Sequence, residues 1–322
     1  GGMLRYGIPD YRLPQEKLDR DIEFILSTGI EVHTDTAIGR DIEFSEIENQ
    51  YDAVYISIGA HNDKKIGIDG ENSVGVHAAV QLLRDIGEGR VPDFRGKRVC
   101  VIGGGSNLLV RDGGVPGVVI RLDSPGFRKI SFGENTVTCG AGVKNAELKK
   151  IMLDKQFGGL EFLCSIPGVV GGSVKTNAGC FGREVADVMQ SAEIMNGEGK
   201  IQTVTAADLG LSYRSSFFPD DWIILSITFR TSPDSTENIR KKLDEQKAYR
   251  MKNQPYNQKT AGSTFKNPEG LRAWELIKKS GCAGLQVGGA KVSDIHCNFL
   301  INTGKATAAD IEKLGETIIK KA

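Results

Sequence analysis

Three stretches of this chain carry residue types that can act on a bound molecule. The first is Arg98–Gly114, RVCVIGGGSNLLVRDGG. Its short apolar run reads as a buried strand. Gly103, Gly104 and Gly105 then remove every side chain at a turn, so backbone N–H groups can approach an anion closely. Ser106 and Asn107 add short polar groups at the same turn. The second stretch is CSIPGVVGGSVKTNAGCFGREV, in which Ile166, Pro167, Gly168, Gly171, Gly172, Asn177, Ala178, Gly179 and Gly182 fall close together. Such glycine density suits backbone pressed against a flat or phosphate-bearing ligand, because a Cβ would hold it off; tight sheet packing is the other reading. The third comprises LSYRSSFF and RMKNQPYNQKTAGSTFKNP. Arg214 is a permanent cation with a planar fork of donors, and its neighbours Tyr213, Phe217 and Phe218 predict that it is partly buried and aimed. Ser263 stands between Gly262 and Thr264. It has neither a nucleophile elbow nor a histidine partner, which disfavours an acyl-enzyme hydrolase; read alone it is a turn hydroxyl.

The glycine word at 103–105 is not a dinucleotide fingerprint. Its third glycine position is Leu108, and no helix follows. Leu108–Val110, Asp112-Gly113-Gly114 and Val118–Leu122 read as strand, turn and strand, so a Gly-rich hairpin without a ligand stays open.

The elements that must position these residues follow from periodicity. Gln15–Thr28 predicts a helix with Leu18, Ile22, Ile25 and Leu26 on one face and Gly29 beyond its end. Ile30–Thr34 and Ala53–Ile58 predict strands, the second ending at Gly59; Phe44–Gln50 and Ala78–Ile86 predict helices. This alternation implies an α/β layer with parallel strands. Val137–Gly142 predicts a strand leading into a helix capped by Asn145 and running to Gln156. Val188–Ile194 and Ile201–Thr205 predict a hairpin around Asn196–Gly199, and Trp222–Phe229 a buried strand. After a polar break at Pro233–Glu237, helices are predicted over Asn238–Arg250, Arg272–Ser280 and Thr307–Lys320, with a strand at Phe299–Asn302. Helices around a small sheet predict an α+β substrate domain.

Composition narrows the partners. Lys+Arg and Asp+Glu are both 41, so no charge bias points to nucleic acid or an anionic membrane. No apolar run approaches the ~20 residues a membrane helix needs. Cys100, Cys139, Cys164, Cys180, Cys282 and Cys297 form no C-x-x-C pair and no zinc spacing, so no metal is expected and the thiols read as free in a reducing cytosol. His33, His61 and His77 show no ligand spacing.

From GGGSNLLVRDGGVPGVVIRL onward, the chain resembles the UDP-N-acetylenolpyruvoylglucosamine reductase family, the flavoenzymes that complete UDP-N-acetylmuramate for bacterial cell walls. The resemblance implies an α+β fold: a two-part FAD-binding domain of the vanillyl-alcohol-oxidase/PCMH type (103–231) plus a smaller α+β substrate domain (232–322). It implies FAD and NADPH as cofactors and UDP-N-acetylglucosamine enolpyruvate as substrate, in the cytoplasm. It places Gly103–Asn107 at the flavin pyrophosphate and Ile166–Gly182 against the FAD. Arg214 would stabilise the enolate that forms as hydride arrives, and Ser263 would give the substrate a proton. Tyr213, Arg250, Gln254, Lys266 and Asn267 would lie around the substrate, cations and amides suiting a UDP diphosphate. Gly288–Ala290 with Lys291, and His296-Cys297-Asn298, match family words without an individual role.

Residues 1–102 are similar to something else. GGMLRYGIPDYRLPQEKLDRDIEFIL, YDAVYISIGAH and the strand VCVIGGG resemble the NADPH-dependent flavoprotein subunit of glutamate synthase, which implies an α/β fragment of a nucleotide-binding oxidoreductase with the Gly59-Ala60 turn near a flavin and the glycines after Val99–Ile102 at the NADPH site. That family's first fingerprint has no counterpart here. The reductase family's third catalytic member, a glutamate in a strand past the last helix, has none before Ala322. A second reading is therefore carried: a flavin-binding but catalytically idle chimera of two oxidoreductase fragments.

Overall fold

The computed structural model describes residues 2–8, 13–57, 76, 79–90 and 98–322. The chain divides into two compact units, Gly1–Arg95 and Gly96–Ala322.

In the first unit the helices form where the periodicity places them: α1 Gln15–Leu26, α2 Phe44–Gln50 and α3 Ala79–Gly87. Gly29 follows α1 with φ 88°, a left-handed residue past a helix end. Leu18 is the only buried apolar side chain among the described residues of this unit. The expected strands differ. Neither 30–34 nor 53–57 joins a ladder among the described residues, and Val32, Tyr55 and Ile56 are exposed. A β-rich composition makes a strand only where a second strand takes up its backbone groups. Ile58, Gly59, Ala60, His61, His77 and Ala78 lie outside the described residues.

The second unit opens with β1 Val99–Ile102, which pairs in parallel with β2 Val118–Arg121, Val99 opposite Val118. This corrects the hairpin reading. Leu108–Val110 forms no strand, and two parallel strands need a long crossover rather than a tight turn. The whole of 103–117 is that crossover, a loop carrying the glycine word.

A five-stranded antiparallel sheet follows. Its strands are β3 Ile130–Phe132 and β4 Thr136–Gly140, then, after helices α4 Asn145–Lys155, α5 Glu161–Cys164 and α6 Val170–Lys175 and a small hairpin of β5 Gly179–Cys180 and β6 Arg183–Glu184, β7 Met189–Met195, β8 Ile201–Thr205 and β9 Ile223–Arg230. The order is β3-β4-β9-β7-β8. The predicted hairpin of β7 and β8 forms, and β9 lies at the centre, burying Ile224, Ile227 and Phe229. Those side chains share one core with Leu148, Met152, Phe162, Leu163, Val170 and Val174 from the helices. Asn145 is not the cap of α4. It is the first helical residue, Lys144 precedes it as cap, and its side chain is wholly buried. The carboxamide donates instead to the Ile166 carbonyl (3.1 Å) and the Ser173 hydroxyl (2.8 Å).

Helix α7, Thr236–Asn253, is capped by the Ser235 hydroxyl, which accepts from the Asn238 amide, and buries Ile239 and Leu243 in that same core. The remainder is a four-stranded sheet of β10 Lys259–Ser263, β11 Gln286–Val287, β12 Ala290–Val292 and β13 Phe299–Asn302 in the order β10-β13-β12-β11, with helices α8 Ala273–Lys279 and α9 Ala308–Lys321. Ile277, Val292, Leu300, Leu314 and Ile318 form its core. Helix α9 starts with a capping box of Thr307 and Asp310. A distant residue completes that start: Asp112 accepts from the amides of Ala308 (2.8 Å) and Ala309 (3.1 Å), and Arg111 pairs with Glu312 at 2.7 Å. Among the described residues no helix is long and apolar enough to cross a membrane.

Candidate functional site

The two glycine stretches meet. A Cβ on Gly104 would stand 3.1 Å from the Gly168 Cα, and one on Gly103 would stand 2.7 Å from a Val169 methyl. Side chains there would push the two loops apart. Gly105 has φ 71° with open space where its Cβ would be. The backbone N–H groups of Gly104, Gly105, Ser106 and Asn107 meet no acceptor among the described residues. Gly104, Gly105 and Asn107 are exposed. Consecutive free donors on a turn that opens with three glycines form a concavity for an anion.

Other glycines answer to packing. A Cβ on Gly171 would meet that of Ala141 at 2.8 Å, and one on Gly179 would meet the Arg183 carbonyl at 2.6 Å. Gly182 (φ 74°) and Phe181 (φ 55°) make the two-residue turn of the β5–β6 hairpin, where both positions need positive φ. Gly172 has room around it. The Ile166 and Gly168 carbonyls take the Asn145 side-chain and backbone donors, Pro167 is exposed and Ala178 is buried.

Arg214 lies in a tight turn in which Ser212 and Ser215 exchange backbone hydrogen bonds of 3.0 Å. Its φ is 54°. Position three of such a turn favours glycine, and a bulky residue in left-handed conformation costs about 1 kcal/mol or more, a strain found chiefly at functional sites. The sequence expectation of partial burial is corrected: Arg214 is exposed, because the turn lifts it off the core. It is aimed nonetheless. Its guanidinium donates to the Gly179 carbonyl and lies 5.4 Å from the Tyr213 ring centre. Arg250, in the last turn of α7, donates to the Ser165 carbonyl, and its Nε is buried without a partner. Cys180 follows Gly179 and is within the field of both cations. Burial pushes its thiol up, and the Ser165 hydroxyl and the charges of Arg250 and Arg214 draw it partly back. The structure thus brings Gly179, Tyr213 and Arg214 together, and holds Arg250 on Ser165, whose hydroxyl lies 3.7 Å from the Cys180 sulfur.

Ser263 is on the other sheet. It ends β10, opposite Phe299, after a register shift at Gly262 (φ 92°). A bulge of this kind re-aims the next side chain, and Ser263 is exposed. Among the described residues no hydrogen bond joins it to the arginines. Lys266 is exposed, Asn267 accepts from the Ala273 amide (3.0 Å) at the start of α8, and Gln254 caps the end of α7. Sequence reasoning missed Asn298. It is buried, its Oδ1 accepts from the Phe265 amide (2.8 Å), its Nδ2 donates to the Phe265 carbonyl (2.9 Å), and its own carbonyl accepts from the Thr264 amide (2.8 Å). Asn298 therefore fixes the loop that follows Ser263. Its place in the HCN word was the only signal.

Family comparison agrees with this layout. The FAD binding domain family model matches residues 90–205, so fold and site define an FAD-binding protein of mixed α and β content. The family model described as UDP-N-acetylenolpyruvoylglucosamine reductase, C-terminal domain, matches residues 254–322. The UDP-N-acetylenolpyruvoylglucosamine reductase of Novosphingobium aromaticivorans is 46% identical over 239 residues, 74% of this chain and 80% of that protein. The one from Paramagnetospirillum magneticum is 48% identical over 69% of this chain and 72% of its own length. The crystal structure of the Thermus caldophilus reductase superposes with a TM-score of 0.65 at 35% identity, covering 71% of this chain and 83% of that one. The chain belongs to the UDP-N-acetylenolpyruvoylglucosamine reductase family.

Proposed function

We propose that this flavin oxidoreductase reduces the enolpyruvyl group of UDP-N-acetylenolpyruvoylglucosamine to the lactyl group of UDP-N-acetylmuramate, with NADPH as electron donor, in the cytoplasm. The observation that carries the reading is Arg214, held in a strained turn and hydrogen-bonded to Gly179 of the glycine-dense run. FAD supplies the redox chemistry, a hydride relayed from NADPH to the enolpyruvyl double bond. Everything else falls to the chain. Free amides at Gly104–Asn107 take the flavin diphosphate, and the backbone of Ile166–Gly182 bounds the cofactor. Negative charge builds on the substrate carboxylate as an enolate, and Arg214 stabilises it. A fixed donor aimed at developing charge lowers such a barrier by about 3 kcal/mol. Ser263 gives the proton that completes the product, as general acid. Lys266, Arg250 and Asn267 hold the diphosphate and sugar, with Gln254 and Tyr213 beside them.

We place the working parts in a flavin domain over 103–231 and a substrate domain over 232–322, with α7 of the latter packed into the core of the former and β1, just before 103, paired with β2. Residues 1–102 are a fragment kin to the glutamate synthase flavoprotein subunit, a kinship resting on the words GGMLRYGIPDYRLPQEKLDRDIEFIL and YDAVYISIGAH. The comparisons give the idle-chimera reading no support. The test is turnover: NADPH oxidation and UDP-N-acetylmuramate formation by the FAD-loaded protein, its Arg214→Ala variant and its Ser263→Ala variant. Wild-type turnover with a loss of about 10²-fold or more in each variant is expected. Unchanged product formation by Arg214→Ala would remove the role given to it.

A further inference from the structure

Asn177 stands in the glycine-dense run, yet its side chain turns inward. It has no exposed surface and both ends of its carboxamide are spent within the protein. Its Oδ1 accepts from the Ala186 amide at 3.0 Å, and its Nδ2 donates to the Ser212 carbonyl at 2.8 Å. Ser212 is the first residue of the turn that lifts Arg214. Three further ties join the same two segments. The Ser216 hydroxyl donates to the Lys175 carbonyl (2.6 Å), the Lys175 ammonium donates to the Phe218 carbonyl (3.2 Å), and the Arg214 guanidinium closes on the Gly179 carbonyl. Residues 175–179 thus hold both the base of the arginine's turn and the tip of its side chain. Asn177 and Arg214 both carry positive φ (42° and 54°). Asparagine tolerates that conformation and arginine does not favour it, so the strained partner needs an external brace.

We propose that Asn177 is a positioning residue for Arg214, fixing the guanidinium where charge develops on the substrate. The inference rests on the role given to Arg214 under Proposed function. Because the brace acts on a group used in the transition state, its loss should lower kcat and leave KM and flavin content nearly unchanged. A misplacement on the order of 1 Å costs about 10²-fold.

The test uses the FAD-loaded protein. Asn177→Asp keeps the left-handed preference and the acceptor toward Ala186, but sets a carboxylate oxygen against the Ser212 carbonyl. Its kcat should fall about 10²-fold, with the 450 nm flavin absorbance per protein intact. Hydrogen exchange at the Ser212 and Ser215 amides should quicken while the β7–β9 amides stay protected. In an Arg214→Lys background the same substitution should cost far less, the non-additivity of residues acting as a unit. Ser216→Ala, which removes one tie on the protein's rim, should lower kcat several-fold in the same direction and serves if Asn177→Asp does not fold. Full additivity with Arg214→Lys overturns the proposal. So does near-wild-type kcat in Asn177→Asp, or in Ser216→Ala where only that variant folds. If Arg214→Ala itself keeps wild-type turnover, the Arg214 reading fails and this inference with it. If Arg214→Ala is dead while Asn177→Asp is normal, only this inference fails.

Discussion

Asp112→Ala tests how the loop at 103–117 is tied to the last helix. Asp112 accepts from the first two amides of α9, at Ala308 (2.8 Å) and Ala309 (3.1 Å). Thr307 already serves the third, at Asp310 (3.1 Å). Truncation therefore orphans two donors at a helix start whose first residue is buried. Loss of an N-terminal cap costs about 0.5–2 kcal/mol, and a negative charge leaving the helix N-terminus adds about 0.3–1 kcal/mol, partly counted already. Asp112 is exposed, which lets water take over some of the bonding, so about 1–1.5 kcal/mol is expected. At roughly 2–4 °C per kcal/mol for a unit of this size, Tm should drop by about 3–5 °C. Asp112→Asn keeps one acceptor oxygen and should lose about half as much. Differential scanning calorimetry at neutral pH in low salt reads both. A melt within 1 °C of wild type for Asp112→Ala (about the resolution of the shift) would refute the claim that this contact carries stability, and equal losses for both variants would refute the bonding account.

Three further outcomes follow from the same structure. Asn298→Ala should lower the unfolding free energy by about 2 kcal/mol, since it strands the half-buried Phe265 amide and carbonyl; urea denaturation checks it. Burial pushes the Cys139 and Cys164 thiols up to about 12, so native alkylation at pH 8 followed by mass spectrometry should label exposed Cys100 well before either. Burial also holds the His296 imidazole below its ordinary value. The unfolded chain then takes up a proton first as pH falls below about 6.5, and stability should decline from there until the folded imidazole titrates. His296→Phe, which fits between Trp274 and Phe299, should flatten that decline in urea melts at pH 7.5 and 5.5.

What the sequence made legible is what local chemistry dictates. The capping box of Thr307 and Asp310, the β7–β8 hairpin and the buried β9 each follow from residues within a few positions of one another. The glycine word at 103–105 was visible for the same reason, since three missing Cβ atoms in a row matter whatever surrounds them. The parallel pairing of β1 with β2 was not legible, because a crossover loop leaves no periodic trace. Asp112 on α9 was hidden by a separation of 196 residues. Glycines of one apparent class proved to serve different needs: Gly171 packs on Ala141, Gly182 turns a hairpin, and Gly105 faces open space.

Two of the buried asparagines, Asn177 and Asn298, explain why the exposed chemistry of this protein is so hard to see from sequence. Arg214 and Ser263 are exposed, and an exposed side chain has no packing of its own to fix it. Its backbone must be fixed from behind. Aspartate or lysine behind the loop would bury a charge, at a cost of several kcal/mol. A hydroxyl is too short to span a donor and an acceptor on different segments. A carboxamide does both without charge: Asn177 spans Ala186 and Ser212 beneath the turn of Arg214, and Asn298 clasps the amide and carbonyl of Phe265 in the loop that follows Ser263. Under the proposed mechanism, the precision of Arg214 and Ser263 then depends on residues held from within the protein, whose partners are 35 and 33 positions away. Substituting either asparagine should therefore degrade chemistry while leaving the glycine-lined flavin wall in place.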